Sequence, residues 1–264
     1  MSCKEKKLCP PNNILYKYTT AERGLAILNS GKIFFPKAFR FNEPFDCTLP
    51  FTDEITQEDF ITGAFRITKK DKEKIKNYTD KIEQSFTDNF EFNEDIKKNN
   101  KKIYQEFIES NENSGILSLS EDPMNPLMWA HYAESHKGIC IGFKLEGFED
   151  KDKILKVQYS NEIPDIRLGE ILYFDGRLST KLFATKAIDW AYEKEWRILT
   201  KKGDNYEDIP GKICEIILGY RIDDTTKKNV SKICNEKNIK YYFCDKVEDK
   251  FEFYKSVIKV EKND

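Results

Sequence analysis

Apolar and polar side chains alternate with a period of two in several short stretches, each bounded by glycine, proline or a polar cluster. Residues 15–19, 116–120 and 195–199 carry this signature, and the mostly apolar runs 139–143 and 213–218 are bounded in the same way. It predicts strands, because successive side chains of an extended chain point to opposite faces. Ile139 to Phe143 is apolar on both faces, as expected for a strand interior to a sheet, and Ile213 to Leu218 reads as another buried strand. Further strands are predicted at 32–35, 154–159 and 240–244. Helical spacing predicts a helix from Ala21 to Asn29, opened by Thr19 or Thr20 and closed by Gly31. Two more helices are predicted over 126–134 and 224–236, and residues 184–192 read as helical or turn-like. Clustered strands with segregated helices predict an α+β fold, a single domain over 12–264 built on a mixed, largely antiparallel sheet.

Between residues 52 and 114 the pattern changes. Lys, Glu, Asp and Asn dominate, and Phe60, Ile75, Phe86 and Phe107 recur loosely at helical intervals, which predicts a helical insertion or cap. Acidic residues interleave its lysines, so these read as a wet helix face and not as a phosphate-binding patch. Just before it, Phe39-Arg40-Phe41-Asn42-Glu43-Pro44-Phe45-Asp46 places three phenylalanines in a loop. Such side chains are costly to expose, which predicts a loop folded against the body of the protein.

Composition narrows the function classes. The 44 Lys and Arg against 46 Asp and Glu give a net charge of -2, which argues against a chain that coats nucleic acid but leaves room for a local basic patch. The N-terminal residues are charged and no apolar run reaches membrane-spanning length, so a soluble cytoplasmic protein without a membrane partner is expected. Seven cysteines, an odd number without C-x-x-C spacing, point to reduced thiols and to neither a zinc site nor a disulfide framework. Only His131 and His136 are present, five apart, which misses the i, i+4 metal pair, and no metal is expected. Glycine-rich dinucleotide and P-loop motifs are missing as well.

The candidate chemistry therefore rests on carboxylates, hydroxyls and aromatic rings. In Glu193-Lys194-Glu195, an extended backbone would turn both carboxylates into one cleft. Two distant segments also mix polar groups with aromatics or apolar residues: Leu15 to Thr20, and Leu117 to Ser120 followed by Met128-Trp129-Ala130-His131-Tyr132. Such a set suits stacking on a flat heterocycle, recognition of ribose hydroxyls and support of a cationic sugar transition state. Carboxylates two apart on one strand are badly placed to flank a glycosidic bond as a glycoside hydrolase pair must.

The segments Leu15 to Tyr18, Phe39 to Asp46, Leu117 to Ser120, Met128 through Phe143 and Trp190 through Arg197 together resemble the bacterial family DUF2971, whose function is unknown. The order of an aromatic-Thr strand, a Ser-x-Ser strand and a Glu-x-Glu strand is also similar to the three-part site of ADP-ribosyltransferases. That looser resemblance implies NAD as substrate, with Tyr18 and Thr19 at the ribose, Ser118 and Ser120 supporting the nicotinamide pocket, and Glu195, helped by Glu193, as the reacting carboxylates. Trp129 or Tyr132 would stack on nicotinamide, His131 would join the cleft, and Asn42 would come from the capping loop. The acceptor would be a protein or a nucleic acid, and such an activity would suit a toxin or defence effector. Two other classes stay open: a module that binds a nucleotide without turnover, and a structural or interaction protein in which Glu195 is ion-paired to a neighbour such as Arg197 or Arg40.

Overall fold

The computed structural model describes Pro10 and residues 13–52, 94–146, 154–173 and 178–257. The fold is α+β, and the chain divides into two compact units. The first comprises residues 1–36, 115–157 and 188–264, and the second residues 37–114 and 158–187.

The first unit is built on an eight-stranded sheet. Its strands are β1 (Ile14–Thr19), β4 (Gly115–Ser120), β5 (Ile139–Lys144), β6 (Ile154–Lys156), β10 (Glu195–Thr200), β12 (Lys212–Leu218), β13 (Lys240–Lys246) and β14 (Phe253–Ser256). They lie in the order β14-β13-β12-β5-β1-β4-β10-β6. Every neighbouring pair is antiparallel except β12 and β13, which helix α6 (Asp224–Glu236) connects. The stretches 15–19, 116–120, 139–143, 195–199 and 213–218 thus all fall in one sheet. Beside it, β2 (Lys32–Phe35) pairs with β11 (Asn205–Asp208).

Strand alternation gives the sheet two different faces. On one, Leu15, Leu117, Leu119, Ile139, Ile141, Trp196, Ile198 and Leu218 pack with Ile27 and Leu28 of helix α1 (Ala21–Ser30) and with Val230 and Cys234 of α6. On the other, Tyr16, Tyr18, Cys140, Ile217 and Cys244 pack with Met128 and Trp129 of the short helix α3 (Pro126–Tyr132). Thr20 caps α1 by accepting the Arg23 N–H, and Gly31 closes it with a φ of 69°, a left-handed conformation that glycine adopts without steric cost. Asn125 caps α3 and Asp223 caps α6.

Gly138, which leads into β5, sits where β1 ends. A Cβ there would lie 2.1 Å from the Thr19 carbonyl oxygen and 3.0 Å from the backbone of Ala133. Backbone cannot step aside as a side chain can, so Gly138→Ala is expected to cost about 1–3 kcal/mol, read as a lower denaturant midpoint at unchanged slope.

The second unit contains helix α2 (Glu94–Glu112), α4 (Leu168–Tyr173), α5 (Leu178–Phe183) and two short parallel pairings. One joins β3 (Phe51–Thr52) to β8 (Ile166–Arg167), the other β7 (Gln158–Ser160) to β9 (Thr185–Ala187). Residues 53–93 of the expected insertion lie outside the described residues; α2 is its helical described part. Three expectations need correction. Residues 154–159 are not one strand: Val157 breaks the run, β6 joins the large sheet and β7 pairs with β9. Residues 184–192 hold a strand, β9, followed by a 3-10 helix over Ile188–Glu193. The aromatic loop is not folded away as a whole. Phe39 is 73% and Phe45 63% exposed, and the buried residue is Asp46, which faces the equally buried Lys186 at 3.9 Å.

Candidate functional site

One row of paired residues runs across the large sheet. Glu195 on β10 stands opposite Ser120 on β4, and Ser120 stands opposite Tyr16 on β1. Tyr16 is opposite Gly142 on β5, and Gly142 is opposite Glu215 on β12. Directly paired residues share a face, so the aromatic strand, the serine strand and the glutamate strand are adjacent and present these side chains on the α3 side.

Arg197 shares that face with Glu195, being two residues further along β10. Its guanidinium forks onto the carboxylate, Nε to Oε1 at 2.9 Å and Nη2 to Oε2 at 3.0 Å, with both side chains buried. The planar guanidinium matches a carboxylate in this geometry as an ammonium cannot. Arg197 is therefore the neighbour that pairs Glu195.

Glu193 reaches the site differently from the extended E-x-E expectation. It ends the 3-10 helix, Lys194 takes a left-handed φ of 47°, and the strand begins only at Glu195. The turn is pinned: the Lys194 carbonyl accepts the Glu121 N–H at 3.1 Å, and its ammonium reaches Asp122 at 3.0 Å. Both glutamates end up buried. The Tyr132 hydroxyl donates to Glu193 Oε1 at 2.6 Å, and the Ser120 hydroxyl donates to the Glu193 carbonyl at 2.6 Å.

Lys17 was not singled out from sequence. The ladder between β1 and β4 is a single pair, and beside it the Lys17 ammonium donates to the Ser118 carbonyl at 3.0 Å. Burial pushes its pKa down, against the opposing pull of the Glu195 and Glu193 carboxylates. Two carboxylates and a guanidinium thus lie buried at the start of β10, and the desolvated Lys17 ammonium reaches toward them from β1, across β4.

The remaining expected residues have plain placements. Tyr18 donates its hydroxyl to the Asp122 carbonyl at 2.6 Å and meets Trp129 edge to face at 5.2 Å. Burial raises its pKa far above the usual phenol range. Trp129 has no exposed surface, and its indole N–H donates to the Pro123 carbonyl at 3.0 Å. Thr19 is buried, Ser118 half-buried, and His131 exposed at 6.2 Å from the Tyr132 ring. Asn42 is exposed and belongs to the second unit. Within that unit a cleft is lined by Glu43, Phe45, Leu49, Ile163, Pro164 and Lys186. Among the described residues no group of three or more His, Cys, Asp and Glu side chains is arranged to hold a metal, and no helix is long and apolar enough to cross a membrane.

His136 lies in the turn between α3 and β5. Burial, then the charges of Arg221 and Lys246, hold its pKa below the ordinary 6.5. With the folded value below the unfolded one, the unfolded chain takes up the proton first. Stability is then complete above the unfolded pKa and declines as pH falls through it toward the folded value. A proton NMR titration is expected to show the His136 ring with a midpoint under 6.5, and a midpoint above that would contradict the placement.

Fold and site together define an α+β protein with a charged cluster along the central strands of a largely antiparallel sheet. Residues 128–198 match the family model of DUF2971, a protein family of unknown function. The match begins at Met128 in α3 and ends at Ile198 in β10, so it includes Tyr132, His136, Glu193, Glu195 and Arg197. No curated protein and no solved structure matches the chain.

Proposed function

We propose that the chain uses NAD as a substrate and transfers or hydrolyses its ADP-ribose unit, as an enzyme of the ADP-ribosyltransferase kind. The observation that supports this reading is the row Tyr16–Ser120–Glu195, in which three segments distant in sequence meet on adjacent strands. In the reaction the bond between ribose C1′ and nicotinamide breaks, its electron pair leaving with neutral nicotinamide. Positive charge develops on the sugar. Glu195, held in one orientation by Arg197, opposes that charge. Water or an acceptor group then forms the new bond to C1′, and Glu193 aligns the acceptor and takes up its proton.

A structural role has an observation of its own. The Arg197 and Glu195 side chains are 0% and 5% exposed, as in an ion pair that fixes a core. Labelled NAD decides between the two, with nicotinamide release and label transfer followed onto protein and nucleic-acid acceptors. Release above the protein-free rate is expected. No NAD binding by calorimetry, together with no release for any acceptor, would leave the row a structural role alone.

A further inference from the structure

At the end of the sheet formed by the turn before β5, the end of β12 and the β13–β14 hairpin, aromatic rings and cations gather around His136, away from the paired carboxylate. The backbone there is unusual: Glu134, Ser135 and His136 have φ values of 51°, 52° and 72°. Three consecutive non-glycine residues in the left-handed region are costly and persist only where surrounding contacts impose them. The contacts are visible. The His136 N–H donates to the Trp129 carbonyl at 3.1 Å, and its own carbonyl accepts the Arg221 N–H at 2.9 Å. A Cβ on Gly219 would come within 2.3 Å of that carbonyl oxygen. The result is a fixed imidazole whose Nδ1 is buried without a hydrogen-bond partner, a state that native proteins rarely leave unexplained.

Around this ring the side chains are of two kinds. Phe253 meets His136 at 5.6 Å and Tyr220 at 6.2 Å, and Tyr220 is 44% exposed. The Lys246 ammonium lies 4.7 Å over the Tyr220 ring. Arg221 and Lys246 are both exposed, and among the described residues neither has a carboxylate within ion-pair reach. The hairpin turn also carries Glu248, Asp249 and Glu252, of which Glu252 faces Lys250 at 4.0 Å. Stackable rings and two available cations match the parts of a nucleotide: a base with a π face, and a phosphate.

We infer that His136, Tyr220, Arg221, Lys246 and Phe253 form a binding site for a nucleotide unit, with the base on the Tyr220–Phe253 rings beside His136 and the phosphate between Arg221 and Lys246. The unit is a free nucleotide or one member of a single strand. Its binding is read without NAD turnover, so it stands or falls apart from the reading of Glu195.

The test titrates the full chain with AMP and with fluorescein-labelled single-stranded RNA and DNA of about twelve nucleotides. The His136 resonances should move on binding. The Arg221→Ala/Lys246→Ala double variant, altered only at exposed positions, should bind at least tenfold more weakly. Its log K should fall less steeply with log salt, by roughly one to two in slope. Tyr220→Ala should weaken every probe while leaving the thermal midpoint unchanged. AMP binding as tightly as the strands identifies a mononucleotide site, and tighter strands identify single-stranded nucleic acid. Either result supports the site. No binding by any probe, or undiminished binding by both the double variant and Tyr220→Ala, overturns it.

Discussion

Arg197→Met is expected to destabilise the fold by about 3–5 kcal/mol, because it removes the guanidinium that forks onto a buried carboxylate. For a chain of this size the loss corresponds to a fall in Tm of roughly 6–20 °C. The cost arises less from the lost attraction than from the charge left behind on Glu195. The double variant Arg197→Met/Glu195→Leu, which removes both charges and fills the space with apolar atoms, should therefore recover most of the loss. Arg197→Lys keeps the charge but presents a point where two parallel N–H donors stood, so it should fall between wild type and Arg197→Met. Thermal and denaturant unfolding of the four proteins supplies the measurement. Arg197→Met within 1 kcal/mol of wild type would show that the pair contributes little to stability.

The same ion pair shows how far the sequence can be read. Residues two apart on a strand share a face, so an association of Glu195 with Arg197 is legible once β10 is recognised. The strands at 15–19, 116–120 and 195–199 are legible from alternation and those at 139–143 and 213–218 from their apolar runs, since each must bury one face or both in a single sheet. Register is a different matter. Alternation says which face a side chain takes but not which residue stands opposite, so the row from Glu195 through Ser120 to Tyr16 emerges only from the pairing. Lys194 hides a further step. A lysine gives no sign of a left-handed backbone, yet its φ of 47° separates a 3-10 helix from a strand and brings Glu193 in along another path. The three-residue strands β7 and β9 are too short to display a period. Lys17 has the parity of Leu15, whose face is apolar, and reads as an ordinary strand lysine. Its role depends on a β1–β4 ladder of one pair, where its ammonium takes the Ser118 carbonyl.

Glu195→Gln is expected to lower nicotinamide release on the order of a hundredfold or more if the carboxylate opposes charge developing on the ribose. The substitution keeps the side-chain shape and one acceptor oxygen but removes the charge, so Arg197 faces a neutral amide and some stability is lost with the ion pair. That loss, about 3–5 kcal/mol, calls for rates measured well below the variant's Tm and corrected for the folded fraction. Glu193→Gln is the control for burial. An amide oxygen can still accept the Tyr132 hydroxyl that now reaches Oε1 at 2.6 Å, so the fold should hold. If Glu193 only aligns the acceptor, hydrolysis should change little while label transfer drops. The two variants thus separate a reacting carboxylate from an aligning one, and both from a buried pair that only holds the sheet. Equal nicotinamide release by Glu195→Gln and wild type, after correction for folding, would remove Glu195 from the reaction and leave it the structural partner of Arg197.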